Sequence, residues 1–152
     1  MATRITILGS GSSGNCAFFE TNETRLLVDA GFSGRQIRAR LATIGRAPEG
    51  LHGILITHEH SDHIQGLAAL AARLEIPVYC NRDTKEAIAK EQTRPLRFRL
   101  FQTGDTFDIG NCSITSFSVP HDAVDPVGFV IQAEEVSFGC LTDLGHATKL
   151  VI

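Results

Sequence analysis

The chain has 152 residues, of which 43% are hydrophobic and 20% charged, and its formal net charge at pH 7 is −3. This length suits one domain, and this balance of apolar and charged residues excludes an intrinsically disordered chain. The slightly acidic charge gives no general attraction for nucleic acid, so a nucleic-acid partner would need a local binding site. We therefore expect one folded domain over residues 1–152.

The first residues of the chain and its cysteines indicate in which cellular compartment the protein is found. A strand-like run, Arg4–Leu8, follows Met1 at once, without the long apolar segment of a signal peptide. No apolar stretch approaches the roughly 20 residues that span a bilayer. The four cysteines lie far apart and form no C-x-x-C pair. These features predict a cytoplasmic protein with free thiols and no membrane partner.

The first half of the sequence alternates between strand and helix patterns. Short apolar runs between polar turns predict strands at Arg4–Gly9, Cys16–Glu20, Arg25–Ala30, Gly53–Thr57 and Pro77–Cys80. Apolar residues at helical spacing predict a helix that Ser33 or Gly34 caps and that ends at Gly45, and a second helix from Ile64 to Leu74. A third helix is expected to start near Asp83.

The second half is mostly β. Strands are predicted at Arg97–Phe101, Thr106–Ile109, Cys112–Val119, Val127–Ala133 and Val136–Thr142. Asp143–Thr148 has the pattern of a loop that leads into a helix. The order of elements predicts an α/β fold in which helices flank a mixed sheet.

The segment Thr57–His63 (Thr-His-Glu-His-Ser-Asp-His) directly follows a buried strand. Three imidazoles and a carboxylate are typical zinc ligands in catalytic sites, where a position is left for water. Residues two apart in an extended segment point the same way, so His58 and His60 can bind one metal together. Asp62 and His63 follow a turn of the chain and can serve a second position. A polar loop with incidental histidines fits poorly, because three of the chain's six histidines lie here.

This H-x-H-x-D-H pattern after a short apolar strand resembles the signature of the metallo-β-lactamase superfamily. Three other segments resemble further motifs of that superfamily, namely Leu27–Gly31, Ser118–His121 and Leu141–Asp143. The resemblance implies that His121 is the third ligand of the first metal and that Asp143 bridges both metals. It implies that Asp29 supports the metal ligands from behind. Without the resemblance, His121 would be read as a structural histidine, Asp143 could be a helix cap, and Asp29 would be a turn residue.

The resemblance covers essentially the whole chain and implies an αββα sandwich, here mainly its N-terminal half. The segment Gly9–Cys16 resembles the YycJ/WalJ-type subgroup, whose members are described as exonuclease-like. A phosphodiester substrate, DNA or RNA among the candidates, is therefore expected. The candidate substrate-binding residues are Ser10, Ser12, Ser13, Asn15 and His146. The loop that carries the first four lacks the P-loop pattern, yet its hydroxyls and backbone N–H groups can hold a phosphate; a tight hairpin loop is the alternative.

Metal-assisted hydrolysis is the expected chemistry, with two Zn²⁺ ions per site that lower the pKa of water toward neutrality. Asp62 is expected to act as ligand and as the acceptor that orients the nucleophile. Carboxylate ligands also admit Mn²⁺ or Fe. Two alternatives stay open at this point. One is a thioester or amide hydrolase that resembles glyoxalase II or the β-lactamases, and the other is a non-catalytic metal-binding module.

The superfamily completes its site with a last histidine, far downstream of the bridging aspartate. No residue follows Ile152 here. We therefore expect a domain that is incomplete at its C-terminus and weakly active or inactive as it stands. A missing C-terminal half, or self-association with a second copy, would complete it.

Overall fold

The computed structural model describes residues 3–92, 94–120, 122–141 and 146–150, with side chains described up to residue 140. A six-stranded sheet forms its first half, in the order β1 (Arg4–Gly9), β2 (Cys16–Glu20), β3 (Arg25–Val28), β4 (Gly53–Leu55), β5 (Val78–Cys80) and β6 (Phe98–Leu100). The pairs β1–β2 and β2–β3 are antiparallel, and β3 to β6 run parallel. This mixed sheet agrees with the sequence prediction.

A second, antiparallel sheet faces the first. Its order is β11 (His146–Leu150), β10 (Val136–Leu141), β9 (Val127–Ala133), β8 (Cys112–Ser118) and β7 (Thr106–Ile109). Apolar side chains of both sheets pack between them, with Phe19 and Leu55 from the first sheet and Phe129 and Ile131 from the second fully buried. Buried residues at alternate positions of β8 and β9, mostly apolar, produce this contact.

Helices cover the other face of the first sheet. They are α1 (Gly34–Ala42), α2 (Ser61–Ile64) and α3 (Arg82–Glu91), with a 3₁₀ turn at Pro48–Gly50 and a π-helical segment at Ala68–Ala72. The Ser33 side chain accepts a hydrogen bond from the Gln36 N–H and caps α1, as predicted. Ile37, Ile54 and Ile88 share the buried core between helices and sheet.

The helix predicted from Ile64 to Leu74 is interrupted. The Gly66 N–H donates to the Ala30 carbonyl (2.8 Å) and so leaves the helical hydrogen-bond ladder. A Cβ at Gly66 would collide with the Phe32 carbonyl, so the close approach of the two segments requires glycine. The result is the short helix α2, followed by the π-helical segment.

The loop predicted at Asp143–Thr148, and the helix expected after it, are also wrong in their described part. Residues 146–150 form β11, which pairs with β10 in the register Leu141↔His146 to Ser137↔Leu150. Without that pairing, one edge of β10 would leave its backbone donors and acceptors unsatisfied, so sheet extension prevails over local preference.

Two further predictions concern the thiols and membrane-spanning segments. All four cysteines are buried free thiols, as expected. Within the described ranges, no helix is long and apolar enough to cross a membrane.

Candidate metal centre

The histidine-rich segment lies where two parallel strands end. Residues 57–63, here called the metal loop, follow β4, and Asp29 follows the neighbouring strand β3. Carboxyl ends of adjacent parallel strands meet at one edge of the sheet, so the two segments adjoin. The Asp29 N–H donates to the Leu55 carbonyl (2.7 Å), which holds them together. From the second sheet, the Val127 N–H donates to the Thr57 carbonyl (2.9 Å).

Asp29 organises the metal loop from a fully buried position. Its Oδ1 accepts from the Thr57 N–H (2.8 Å), and its Oδ2 accepts from Thr57 Oγ1 (2.8 Å) and His63 Nδ1 (2.7 Å). The residue has a φ of 63°, a left-handed conformation that aspartate adopts more readily than most residues, and β3 therefore ends at Val28 rather than at Ala30. One carboxylate thus fixes both ends of the loop.

These hydrogen bonds also select the tautomers of two imidazoles. Thr57 Oγ1 gives its only hydrogen to Asp29, so at 3.0 Å it accepts from His58 Nδ1. His63 Nδ1 donates to Asp29. In the neutral rings, the lone pair of both histidines is therefore on Nε2, the nitrogen directed away from this buried array.

The charge state of His63 responds to the same carboxylate. Burial disfavours its charged form, but the hydrogen bond to Asp29 and the negative charges of Asp29 and Asp62 outweigh burial and raise the pKa of His63 above its usual value. A histidine must be neutral to bind a metal, so a cation at this ring competes with a proton.

The three imidazoles of the metal loop converge. The ring centroid of His58 lies 4.7 Å from that of His60 and 3.9 Å from that of His63. His60 is the N-cap residue of α2 in an extended conformation, so the chain turns into the helix directly after it. Asp62, in the first turn of α2, brings its Oδ2 to 3.7 Å from His63 Nε2. The four ligands predicted in this segment therefore lie together.

The loop of residues 9–15, here called the Gly/Ser loop, packs beside the metal loop. Ser10, Ser12 and Ser13 are exposed, whereas Asn15 is buried and touches Asp62 and His63. Side chains at positions 9 and 14 would collide with the Phe32 ring, so glycine is needed at both. The exposed hydroxyls keep the substrate-binding prediction for the three serines open.

Three predicted residues cannot be placed as side chains. His121 and Asp143 lie outside the described residues, and His146 belongs to β11 with its side chain outside the description. Their metal-binding and substrate-binding roles stay predictions.

Two residues of the metal loop acquire roles that the sequence analysis did not assign. Thr57 links Asp29 to His58, as described above. The Glu59 carboxylate accepts from the Val124 N–H (3.2 Å) and so connects the metal loop to residues 122–126. The sequence carried a signal for both roles. A Thr at a strand end and a Glu between two histidines are polar residues in a mostly buried segment, where polar groups need hydrogen-bond partners.

The donor set of the metal loop fits a divalent cation. Within the described part of the chain, no group of three or more His, Cys, Asp or Glu side chains could hold a metal ion as it stands. The tautomers nevertheless place a lone pair on Nε2 of His58 and of His63, and the Asp62 carboxylate lies beside the latter. Two imidazole nitrogens, one ring held from behind by a carboxylate and the other by a hydroxyl, together with a nearby carboxylate ligand, are donors that zinc and similar ions select.

The chain is similar to several known proteins. Residues 24–152 match the family described as Beta-lactamase superfamily domain. The chain is 42% identical over 149 residues to exodeoxyribonuclease WalJ of Streptococcus pneumoniae, a match that covers 95% of this chain and 55% of that protein. It is 36% identical over 151 residues to exodeoxyribonuclease YycJ of Bacillus anthracis, with 97% and 57% covered.

Solved structures show the same fold. The structure described as the first B3 metallo-β-lactamase with an active-site glutamic acid superposes with a TM-score of 0.71 at 22% identity, over 97% of this chain and 58% of that one. The chain thus spans about half the length of the relatives that it matches.

Proposed function

This chain belongs to the β-lactamase superfamily, and from that membership we propose that it carries the cation-binding part of a hydrolase that cleaves phosphodiester bonds in nucleic acid. The observation that carries the proposal is the buried array of Asp29, Thr57, His58 and His63. That array fixes two imidazoles with their Nε2 lone pairs directed away from the buried carboxylate. A carboxylate that orients metal-binding histidines is typical of metal centres.

The residues divide between two cation positions. His58 and His60 would hold the first, with His121 as their third partner, and Asp62 and His63 would hold the second, with Asp143 shared between them. Zn²⁺ suits these imidazoles best, and Mn²⁺ or Fe is the alternative. When bound, the two cations lower the pKa of water and neutralise the developing negative charge of the reaction.

The chain's own side chains supply the rest of the proposed chemistry. Asp62 is partly exposed, so its carboxylate can accept a hydrogen bond from the attacking water and orient it toward the phosphorus. The exposed hydroxyls of Ser10, Ser12 and Ser13 can donate to phosphate oxygens beside the metal loop. His146 is a further candidate contact. The buried free thiols support a reducing compartment, and we propose the cytoplasm.

Support for a nucleic-acid substrate comes from the relatives. The two proteins at 42% and 36% identity are named exodeoxyribonucleases. A relative named hydroxyacylglutathione hydrolase, of Rhodopseudomonas palustris, is 26% identical over 102 residues. The lower identity ranks a thioester hydrolase second.

Metal content tests the first part of the proposal. We expect about one to two zinc or manganese ions per chain by elemental analysis of the wild type. The double variant His58→Ala/His60→Ala should lose most of that metal, because two of its ligands are gone. His52→Ala is the matched control, since His52 is exposed and its side chain accepts from the Arg25 N–H, away from the metal loop. Equal metal in all three proteins would contradict the assignment of the metal loop.

Hydrolysis tests the second part. We expect metal-dependent cleavage of bis-p-nitrophenyl phosphate and of end-labelled single-stranded DNA, abolished in the double variant and unchanged in His52→Ala. A protein that binds metal and cleaves an acylglutathione thioester but no phosphodiester would establish the alternative. A protein that binds metal and cleaves neither would be the non-catalytic module.

A further inference from the structure

Asn15 connects the Gly/Ser loop to the metal loop through its backbone. Its N–H donates to the Asp62 carbonyl (2.8 Å), and its own carbonyl accepts from the Gly31 N–H (2.9 Å). A Cβ at Gly31 would collide with the Asp62 carbonyl and with the backbone of Asn15. The three segments that contain these residues therefore approach as closely as backbones can, and Asn15 lies at their junction.

The Asn15 side chain points toward two proposed metal ligands. It is only 6% exposed. Its Nδ2 lies 3.2 Å from Asp62 Oδ2 and 3.2 Å from His63 Nε2, while Oδ1 accepts from the Gly11 N–H (3.1 Å). Because His63 Nδ1 donates to Asp29, Nε2 of the neutral ring is the acceptor for the amide. The same Nδ2 also donates to the Gly11 carbonyl (2.9 Å).

We propose that Asn15 is a positioning residue that clamps the Gly/Ser loop to the metal loop and sets the orientation of the Asp62 side chain. The Nδ2 atom has two hydrogens, and its acceptors are the Gly11 carbonyl in the Gly/Ser loop and the side chains of Asp62 and His63 in the metal loop. Burial keeps Asn15 away from substrate, so its action on the metal centre runs through Asp62, because a cation at His63 Nε2 would use the lone pair that accepts from the amide. The effect of Asn15 on metal affinity rests on the proposed function, whereas the clamp itself is a property of the folded chain.

Hydrogen–deuterium exchange of the metal-free protein tests the clamp. We expect Asn15→Ala to accelerate exchange in residues 9–15 and in residues 57–63 together. Asn111→Ala is the matched control, because Asn111 accepts hydrogen bonds from Thr21 and Thr24 at the opposite end of β3. That control should accelerate exchange only near its own partners. Unchanged exchange in residues 57–63 of Asn15→Ala would overturn the proposal.

A second variant keeps the test decisive if Asn15→Ala does not fold. Asn15→Asp keeps the size of the side chain and an acceptor for the Gly11 N–H, but it removes both amide hydrogens and adds a negative charge beside Asp62. We expect faster exchange in residues 57–63 of this variant. Exchange identical to that of the wild type would show that the amide hydrogens do not hold the metal loop.

Zinc affinity, measured by competition with a chromophoric chelator, tests the consequence for the metal centre. Loss of a partner that orients a ligating carboxylate weakens binding by about 10- to 100-fold, and we expect Asn15→Ala to do so through Asp62. Asn111→Ala should bind zinc like the wild type. Equal affinity in Asn15→Ala would overturn the positioning role. If the wild type takes up no zinc, the proposed function fails, and the exchange experiment still decides the clamp.

Discussion

At the scale of single residues, Asp29 has the largest number of consequences. Its carboxylate accepts three hydrogen bonds, two of them from Thr57 and one from His63, and it does so in a buried, left-handed conformation. A buried charge is tolerated only when such partners compensate for its lost hydration. Thr57 in turn bonds to His58, and His63 is itself a proposed metal ligand. The stability of the fold and the geometry of the site therefore both depend on Asp29.

The substitution Asp29→Asn separates the charge of this residue from its shape. Asparagine tolerates the left-handed conformation but loses the charge-assisted bonds, so we expect a loss of about 1.5–3 kcal/mol in the free energy of unfolding, measured with urea. The exposed Asp108→Asn in β7 is the control and should change it by less than about 0.5 kcal/mol. Equal effects of the two substitutions would contradict the role of Asp29.

The same variant has a second readout in the titration of His63. Asp29 raises the pKa of His63, so the folded protein holds this proton more tightly than the unfolded chain. The resulting stabilisation is present below pH about 6.5 and is lost as the pH rises through the folded pKa. In Asp29→Asn we expect a lower His63 pKa by NMR titration of the metal-free protein. A pKa that does not move would contradict the assigned cause.

Gly31 offers a steric test at the residue scale. We expect Gly31→Ala to lower the free energy of unfolding by about 1–3 kcal/mol, because its Cβ would overlap the Asp62 carbonyl and the loops would have to separate. Gly50→Ala is the control, since its Cβ would meet mainly the flexible Arg25 side chain. A Gly31→Ala protein as stable as the control would show that the loops can separate freely.

At the scale of elements, residues 122–126 are hydrogen-bonded to three other segments: the metal loop, the N-terminus of α3 and the turn after β6. Val124 bonds to Glu59, the Asp125 carbonyl accepts from Asn81 Nδ2 (2.8 Å), and Asp125 Oδ2 accepts from the Thr103 hydroxyl (3.0 Å). Asn81 also caps α3 by accepting from the Thr84 N–H. A helix cap and a loop tether therefore share one side chain.

Replacement of Asn81 should affect both elements. We expect Asn81→Ala to cost about 1–2 kcal/mol of unfolding free energy and to make residues 122–126 more susceptible to limited proteolysis. The matched cap variant Ser33→Ala in α1 should cost a similar amount and leave that proteolysis unchanged. Equal proteolysis of the two variants would show that the Asn81–Asp125 bond does not restrain the loop.

Most elements could be predicted because their signals are local. The hairpin of β2 and β3 follows from strand patterns around Thr21–Thr24, and α1 follows from its cap and its apolar spacing. The break at Gly66 and the pairing of β11 could not, because each depends on a hydrogen-bond partner far away or on a neighbouring strand edge. Local periodicity carries no information about such partners.

For the metal centre, the sequence predicted which residues lie close together, but it did not predict the hydrogen bonds that hold them in place. His58, His60, Asp62 and His63 are close in the chain, so their proximity followed from the spacing. The hydrogen bonds of Asn15 with Asp62 and His63 depend on how two distant loops pack, and only the fold reveals them. Tautomers likewise require the positions of the hydrogen-bond partners.

At the scale of the whole molecule, the four thiols report on the integrity of both cores. Burial raises the pKa of Cys80 and of Cys140 to about 12 and that of Cys112 to about 11, and burial with the nearby Asp29 charge raises the pKa of Cys16 further. We therefore expect iodoacetamide at pH 8 to label none of them in the native protein and all four in denaturant, by mass spectrometry. Rapid labelling of a native thiol would show that its core opens.

The bond between the Val127 N–H and the Thr57 carbonyl crosses from one sheet to the other at the peptide directly before His58. The two sheets cannot slide past each other without pulling on that peptide. A shift of β9 relative to the first sheet therefore acts on the backbone that positions the first histidine of the metal loop. A substitution between the sheets that moves β9 is expected to move His58 as well.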